Sequence, residues 1–170
     1  MKEGNAQQIS ATEADWSREQ ATAYAPGTHL LSAIRAYQRT LNSPTIFSST
    51  RRRLAILRHR FWSAVAGADI PLTSCLGGGL LLPHPAGIVI HPAAQIGPNC
   101  LIFQNVTLGT GGKIAGVPTL VGHVDVGAGA KILGGVVIGA HAKIGANAVV
   151  LSDVPPGGVA VGIPARLVRA

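Results

Sequence analysis

The sequence predicts a mostly β protein, a parallel β-helix of six-residue repeats preceded by a short α-helical segment. First, an aliphatic residue returns at every sixth position between Ile70 and Val150. An α-helix would scatter this pattern around its surface, whereas strands and turns in blocks of six keep it on one side. Second, the chain is 47% hydrophobic but only 4% aromatic, which suits a narrow core of stacked aliphatic side chains that a ring would overpack.

The repeat occupies two registers and is interrupted twice. The two registers hold, in order, Ile70, Leu76, Leu82 and Ile88, then Ile90, Ile96, Ile102, Leu108, Ile114, Leu120, Val126, Ile132, Ile138, Ile144 and Val150. They are separated by a two-residue slip at 84–87. A glycine-rich segment at 109–113 separates Leu108 from Leu120, and it is either two tight repeats with Ile114 inside or a loop outside the prism. Its glycines and polar neighbours favour the loop.

Residues 1–67 are predicted to form a leader and helical segment, and residues 68–170 a β-helix domain with a C-terminal tail. The leader is expected to be loosely held, with one short helix beginning at Thr12. Apolar residues at three- and four-residue steps predict amphipathic helices over about 29–41 and 49–66, separated by a break at 43–44. We expect Phe61 and Trp62 of the second helix to cover the open first coil, and the tail to return beside the last coil.

Charge and cysteine usage narrow the classes of function. The net charge is +7, and nine of the fourteen basic residues precede Phe61. The arginine cluster at 51–60 lacks the aromatic residues or groove-binding motif of a nucleic-acid protein, which favours a solvated helix face or a contact with an acidic surface or phosphate. Cys75 and Cys100 lie inside the repeat and are interpreted as buried apolar residues. With no signal peptide and no apolar run near the ~18 residues of a membrane span, we expect a soluble cytoplasmic protein.

His84 lies in the register slip and is the candidate general base. Histidine titrates near neutral pH and can take the proton of a hydroxyl, although His84 could also be a loop residue without a task. Asp69 precedes it by fifteen residues, close to one eighteen-residue coil, so its carboxylate could orient the imidazole, cap a strand or pair with an arginine. Three outward-facing histidines could bind metal only if the coils stacked them, and no zinc-type spacing is present, so no metal is predicted: His91, His123 and His141.

Several motifs carry a resemblance to a known family. They are HPAGIVI at 84–90, IFQNVTLG at 102–109, VGAGAKILG at 126–134, AKIGANAVV at 142–150 and the ending VGIPAR at 161–166. Over about 68–168 the chain resembles the serine acetyltransferases, a family of hexapeptide-repeat acyltransferases. The resemblance implies a left-handed coil, acetyl-CoA as co-substrate, and a place in cysteine biosynthesis.

The resemblance also assigns roles to individual residues. His84 matches the general base of the family, and Asp69 matches the aspartate that orients it. Four residues match those that line the CoA groove between neighbouring subunits of a trimer: Gly109, Ala128, Lys143 and Ala146. A homotrimer acting on a small hydroxyl acceptor is therefore expected.

Three departures bear on the acceptor. Pro83 stands where the family has the acidic residue that holds the substrate amine, and Gly116 and Val117 stand where it has an Arg-His pair. The helical domain that joins two family trimers is also shorter here. We predict an O-acetyltransferase with L-serine as the first acceptor. The alternatives are another hydroxyl acceptor, such as a sugar or natural product, and a non-catalytic scaffold.

Overall fold

The computed structural model describes residues 9–20, 25–41 and 48–169, and the predicted break at 43–44 lies outside them. A 3-10 helix (Trp16–Glu19) and two α-helices, α1 (Pro26–Leu41) and α2 (Ser48–Ala66), precede a series of short strands. These are β1 (Cys75–Leu76), β2 (Val89–Ile90), β3 (Gln95–Ile96), β4 (Leu101–Ile102), β5 (Thr107–Gly109), β6 (Thr119–Leu120), β7 (Asp125–Val126), β8 (Lys131–Leu133), β9 (Val137–Ile138), β10 (Lys143–Ile144), β11 (Val149–Val150), β12 (Val159–Gly162) and β13 (Ala165–Arg169).

The strands stack into three sheets that form the faces of a prism. Face A contains β2, β5, β8 and β11, face B contains β1, β3, β6 and β9, and face C contains β4, β7, β10, β12 and β13. From β2 to β11 the chain visits faces A, B and C in turn, and strands on one face pair in parallel. Lys143, for example, pairs with Asp125 one coil earlier. The predicted parallel β-helix is confirmed.

Two side chains per repeat point into the prism, namely the predicted aliphatic residue and the smaller residue two positions before it. The aliphatic stack is at most 1% exposed at Ile102, Leu108, Leu120, Val126, Ile132 and Ile138. The smaller residues are fully buried at Ala94, Cys100, Val106, Val124, Ala130, Val136, Ala142 and Ala148. Alternation of large and small side chains fills the prism without rings. Truncating one large member to alanine should therefore cost about 2–5 kcal/mol.

The two cysteines have different environments. Cys100 is buried as predicted, and burial raises the pKa of its thiol to about 11, so the group stays neutral. Cys75 is exposed, so the prediction of a buried residue is wrong there. It lies on β1 immediately before Leu76, and successive strand residues point to opposite sides of a sheet. Both thiols are free.

The helix that covers the open first coil is α1, not α2. Leu30, Leu31 and Ile34 of α1 are at most 1% exposed and belong to the same core as the coils. On α2, Trp62 packs partly against that core and stacks on His29, with ring centroids 4.3 Å apart. The prediction for Phe61 is wrong, because it is 60% exposed together with its apolar neighbours on α2, Leu54, Leu57 and Val65.

The described part of the leader, 9–20, is held firmly against the β-helix. The buried Asn99 side chain accepts a hydrogen bond from the Asp15 backbone and donates to the carbonyl oxygens of Ser10 and Glu13. Arg35 of α1 pairs with Glu19 at 3.0 Å, and both side chains are about 10% exposed. The loosely held leader is thus a wrong prediction over 9–20. Its short helix is capped by Asp15, not Thr12.

The tail closes the other end of the solenoid. β12 adds in parallel to β10, and β13 folds back on β12 as an antiparallel strand, which confirms the predicted return beside the last coil. Among the described residues, no helix is long and apolar enough to cross a membrane.

Candidate active site

His84 lies where the chain passes from face C to face A, a position that we call the C/A corner. Leu81 is bridged to Leu101 of face C just before it, and β2 of face A begins just after it. The imidazole is exposed, and its ring centroid lies 6.5 Å from that of Phe103 on the next coil. Pro85 is buried and accepts a hydrogen bond from the Ile88 backbone, so the turn beside the imidazole is anchored.

Asp69 lies at the start of face A. Its backbone accepts from Ile90 at 2.9 Å and donates to Ile88 at 2.8 Å, while its carboxylate is exposed. Within the described residues, the carboxylate makes no hydrogen bond to the His84 imidazole. The ion pairs of this part of the chain are Arg35 with Glu19 and Lys143 with Asp125, so Asp69 pairs with no described arginine either. The orienting role of Asp69 stays a prediction.

Three of the four predicted CoA contacts lie at or beside the C/A corner. Ala128 and Ala146 occupy stacked turns there, and the Asn147 backbone donates to the Ala128 carbonyl at 2.8 Å. Lys143 lies on the strand leading into the corner. Its side chain is 65% exposed, and its ammonium is 3.8 Å from the Asp125 carboxylate. Small side chains and an exposed ammonium leave a surface suited to a phosphate-bearing chain.

Gly109 lies apart from the other three. It ends β5, five residues beyond Gln104, whose carbonyl accepts from Gly129 at the C/A corner. The face-A strand β5 leaves that corner at Thr107 and ends at Gly109, so Gly109 is at the opposite edge of face A. One ligand that contacts both Gly109 and Ala146 must therefore cross a whole face or lie between two chains.

The glycine-rich segment is a loop, as its composition predicts. Between Gly109 and Thr119 there is no strand, and Ile114 is 41% exposed, so its placement in the inward register is wrong. The loop rests on the following coil, where the Gly135 backbone donates to the Ile114 carbonyl at 3.0 Å. A Cβ added to Gly134 would lie 2.4 Å from the Gly111 carbonyl oxygen, so only glycine permits this approach.

Several serine acetyltransferases are similar to this chain in fold and sequence. A serine acetyltransferase from soybean has a TM-score of 0.70 and 41% identity, covering 84% of this chain and 57% of that one. A probable serine acetyltransferase from Oryza sativa is 46% identical over 125 residues, which is 72% of this chain and 41% of the relative. The chain is similar in sequence and fold to serine acetyltransferases. The predicted left-handed β-helix with its N-terminal helical segment is confirmed by the same neighbours.

The chain spans only about half the length of these family members. The serine acetyltransferase of Mycobacterium tuberculosis, 40% identical over 119 residues, is covered over 52% of its length and covers 69% of this chain. One soybean structure is described as complexed with serine, and another serine acetyltransferase, with a TM-score of 0.71 and 36% identity, as a complex with CoA. That second match covers 86% of this chain and 58% of the other. No protein-family model matches the chain.

A pair of histidines at the corner between faces B and C was not predicted from the sequence. His123 and His141 lie one coil apart with their rings edge to face, 5.0 Å between centroids, and their Nδ1 atoms 2.8 Å from each other. Burial lowers the pKa of His123, and this outweighs the opposing effect of the nearby Asp125 carboxylate. The eighteen-residue spacing of the two histidines is the sequence feature that could have predicted their contact. No group of three or more potential metal ligands occurs in the described ranges.

Two further residues at the C/A corner escaped sequence reasoning. Lys131 places its ammonium 2.5 Å from the Asn105 carbonyl oxygen and 3.1 Å from the Thr107 hydroxyl, tying neighbouring coils together. Gln104 buries its Oε1 without a hydrogen-bond partner in the described residues. Both lie in the matched motifs, but only the stacking of coils brings them beside the turn of His84.

Proposed function

We propose that the chain is an acetyl-CoA-dependent O-acetyltransferase with L-serine as its first candidate acceptor. One observation carries the proposal: the exposed imidazole of His84 shares a corner with Ala128 and Ala146, on a fold matched to serine acetyltransferases described in complex with serine and with CoA. Because the proposed site residues all lie in the β-helix, we propose 68–170 as the catalytic domain and 1–67 as the leader and helical segment.

In the proposed reaction, His84 takes the proton from the acceptor hydroxyl as the oxygen attacks the thioester carbonyl of acetyl-CoA. The tetrahedral intermediate collapses with cleavage of the carbon–sulfur bond, and the imidazolium returns its proton to the departing thiolate. The products are the acetyl ester and CoA, with no acyl-enzyme. General-base catalysis of this kind contributes about 10²–10⁴ to a rate. The Asp69 carboxylate would stabilise the imidazolium once substrate draws the two side chains together.

We propose that the site is completed by a second copy of the chain in a homotrimer. The support is the separation of Gly109 from Ala146 across face A, which one chain cannot close around a single small ligand. In a cyclic trimer, face A of one subunit could approach the C/A corner of the next. Light scattering should give three times the chain mass of 17.4 kDa, and a fully active monomer would rule out the shared site.

The departures from the family's sequence pattern affect the choice of acceptor. A zwitterion is normally held by a carboxylate against its ammonium and an arginine against its carboxylate, and each unpaired contact costs ~1–3 kcal/mol. Pro83 supplies no charge, and Lys113 is the one charged residue of the loop 110–118. An uncharged hydroxyl compound is the second candidate acceptor. Serine should then react with a Michaelis constant above the ordinary range of ~1 µM–1 mM.

A thiol-release assay tests acceptor and activity together. The full chain is incubated with acetyl-CoA and with L-serine, sugars or uncharged hydroxyl compounds in turn, with His84→Ala as the matched inactive control. We expect CoA release that depends on both acceptor and His84. A submillimolar constant for serine, with no uncharged compound competing, would show that other residues replace the missing pair. CoA release that no acceptor accelerates would mean hydrolysis without transfer, and no release under any condition would leave the non-catalytic scaffold. We also propose that the protein acts in the cytoplasm.

A further inference from the structure

The two helices enclose a cleft that acetyl transfer does not use. It lies between the last turns of α1 and the first three turns of α2, and has a volume of about 330 Å³. Three guanidinium groups line it, from Arg39, Arg51 and Arg58, and its apolar wall includes Ala36, Leu54 and Ala55. The volume is at the lower end of the range for small-molecule pockets, ~300–1,000 Å³. The cleft can therefore hold a compact ligand.

The charge of the cleft is uniformly positive. Neither α1 nor α2 contains an aspartate or glutamate, and the ion pairs of the described residues involve other cations, Arg35 and Lys143. The C-terminal end of α1 and the N-terminal end of α2 carry partial charges of opposite sign, which largely cancel. The three arginines therefore set the sign of the field. Arg39 also lines a neighbouring pocket that contains Glu19, but among the described residues none of the three arginines forms an ion pair.

We propose that this cleft binds a small phosphate monoester whose organic part is apolar. Guanidinium groups match phosphate oxygens with paired N–H donors, and arginine keeps its charge at all physiological pH values. The alanine and leucine wall offers the organic part a surface away from water. The cleft shares no residue with the C/A corner, because all of its lining residues lie on α1 and α2.

Calorimetry with phenyl phosphate tests the proposal on the full chain, in phosphate- and sulfate-free buffer at low salt. Phenyl phosphate should bind saturably at one site per chain and more tightly than inorganic phosphate, and phenol should not bind. Arg51→Gln and Arg58→Gln should each weaken binding at least about tenfold, because each removes a charge-assisted contact. Arg53→Gln is the matched control. It removes the same charge from the opposite side of α2 and should change affinity less than about twofold.

Three results would overturn the proposal. Equal weakening by Arg53→Gln would mean that the helix attracts anions without a site. Equal affinity for phenyl phosphate and inorganic phosphate would show that the cleft does not bind the apolar part of the ligand. Absence of binding up to about 10 mM would exclude the site at any affinity of use. The measurement contains no acetyl-CoA, so its outcome and that of the transfer assay are independent. Circular dichroism of each variant checks that the helices remain folded.

Discussion

The contact between the loop 110–118 and Gly134 can be tested with one methyl group. Gly134 has a φ of +86°, and an alanine Cβ there would lie 2.4 Å from one loop carbonyl oxygen and 2.5 Å from another, those of Gly111 and Ile114. Normal contacts of this kind are about 1 Å longer, so the loop must move. Gly134→Ala should lose about 1–2 kcal/mol from the left-handed backbone and about 1–3 kcal/mol from the clash.

Gly157→Ala separates these two contributions. Gly157 has a φ of +71°, but nothing lies within 4 Å of the position where its Cβ would be. It should show the backbone loss alone, a fall in Tm of roughly 2–8 °C, and Gly134→Ala should fall further. Because displacement of about 1 Å at a catalytic site can reduce rates 100-fold, only Gly134→Ala should also lower kcat/KM for acetyl transfer. Equal melting temperatures and wild-type activity in both variants would refute the loop contact and its place in the site.

Three further substitutions address titratable groups. His84→Ala should lower turnover by about 10²–10⁴ with little change in affinity for acetyl-CoA, and Asp69→Asn should lower turnover less. Steady-state kinetics measures both effects. Wild-type turnover in His84→Ala would place the general base elsewhere. Burial lowers the pKa of His123 from its ordinary value of 6.5, so the folded state binds this proton less readily than the unfolded state, and stability falls as pH drops below 6.5. His123→Asn, which suits the left-handed backbone at φ 46°, should flatten this loss in urea titrations at pH 5 and 8, and an unchanged difference between the two pH values would contradict the assignment.

The repeat could be predicted because each inward side chain depends only on its position in a block of six. Ile102 and Ile132 are buried for the same local reason, and the chain needs no long-range information to place them. The loop could be predicted because three glycines interrupt that rule. Ile114 shows the limit of periodicity, since it keeps the spacing and still lies outside the prism.

Residues whose roles depend on contacts between elements could not be predicted in the same way. Helical periodicity identifies the apolar side of α2, but not that α1 would occupy the open coil and leave Phe61 exposed. The predicted contact between Asp69 and His84 depends on side-chain directions in an irregular turn, which sequence spacing does not specify. The pairing of His123 with His141 follows from exact stacking of two coils, and it becomes visible only once the eighteen-residue repeat is applied to polar residues as well.

The hydrogen bonds between the leader and Asn99 imply an order of folding. Asp15 and Asn99 are separated by 84 residues, so this contact can form only after the chain through the coil of Asn99 has left the ribosome. Closing so long a loop is entropically unfavourable and gains nothing until the coils themselves are in place. Residues 9–20 are made well before Asn99 but should dock late, and the surface around Asn99 should stay exposed to chaperones and proteases until they do.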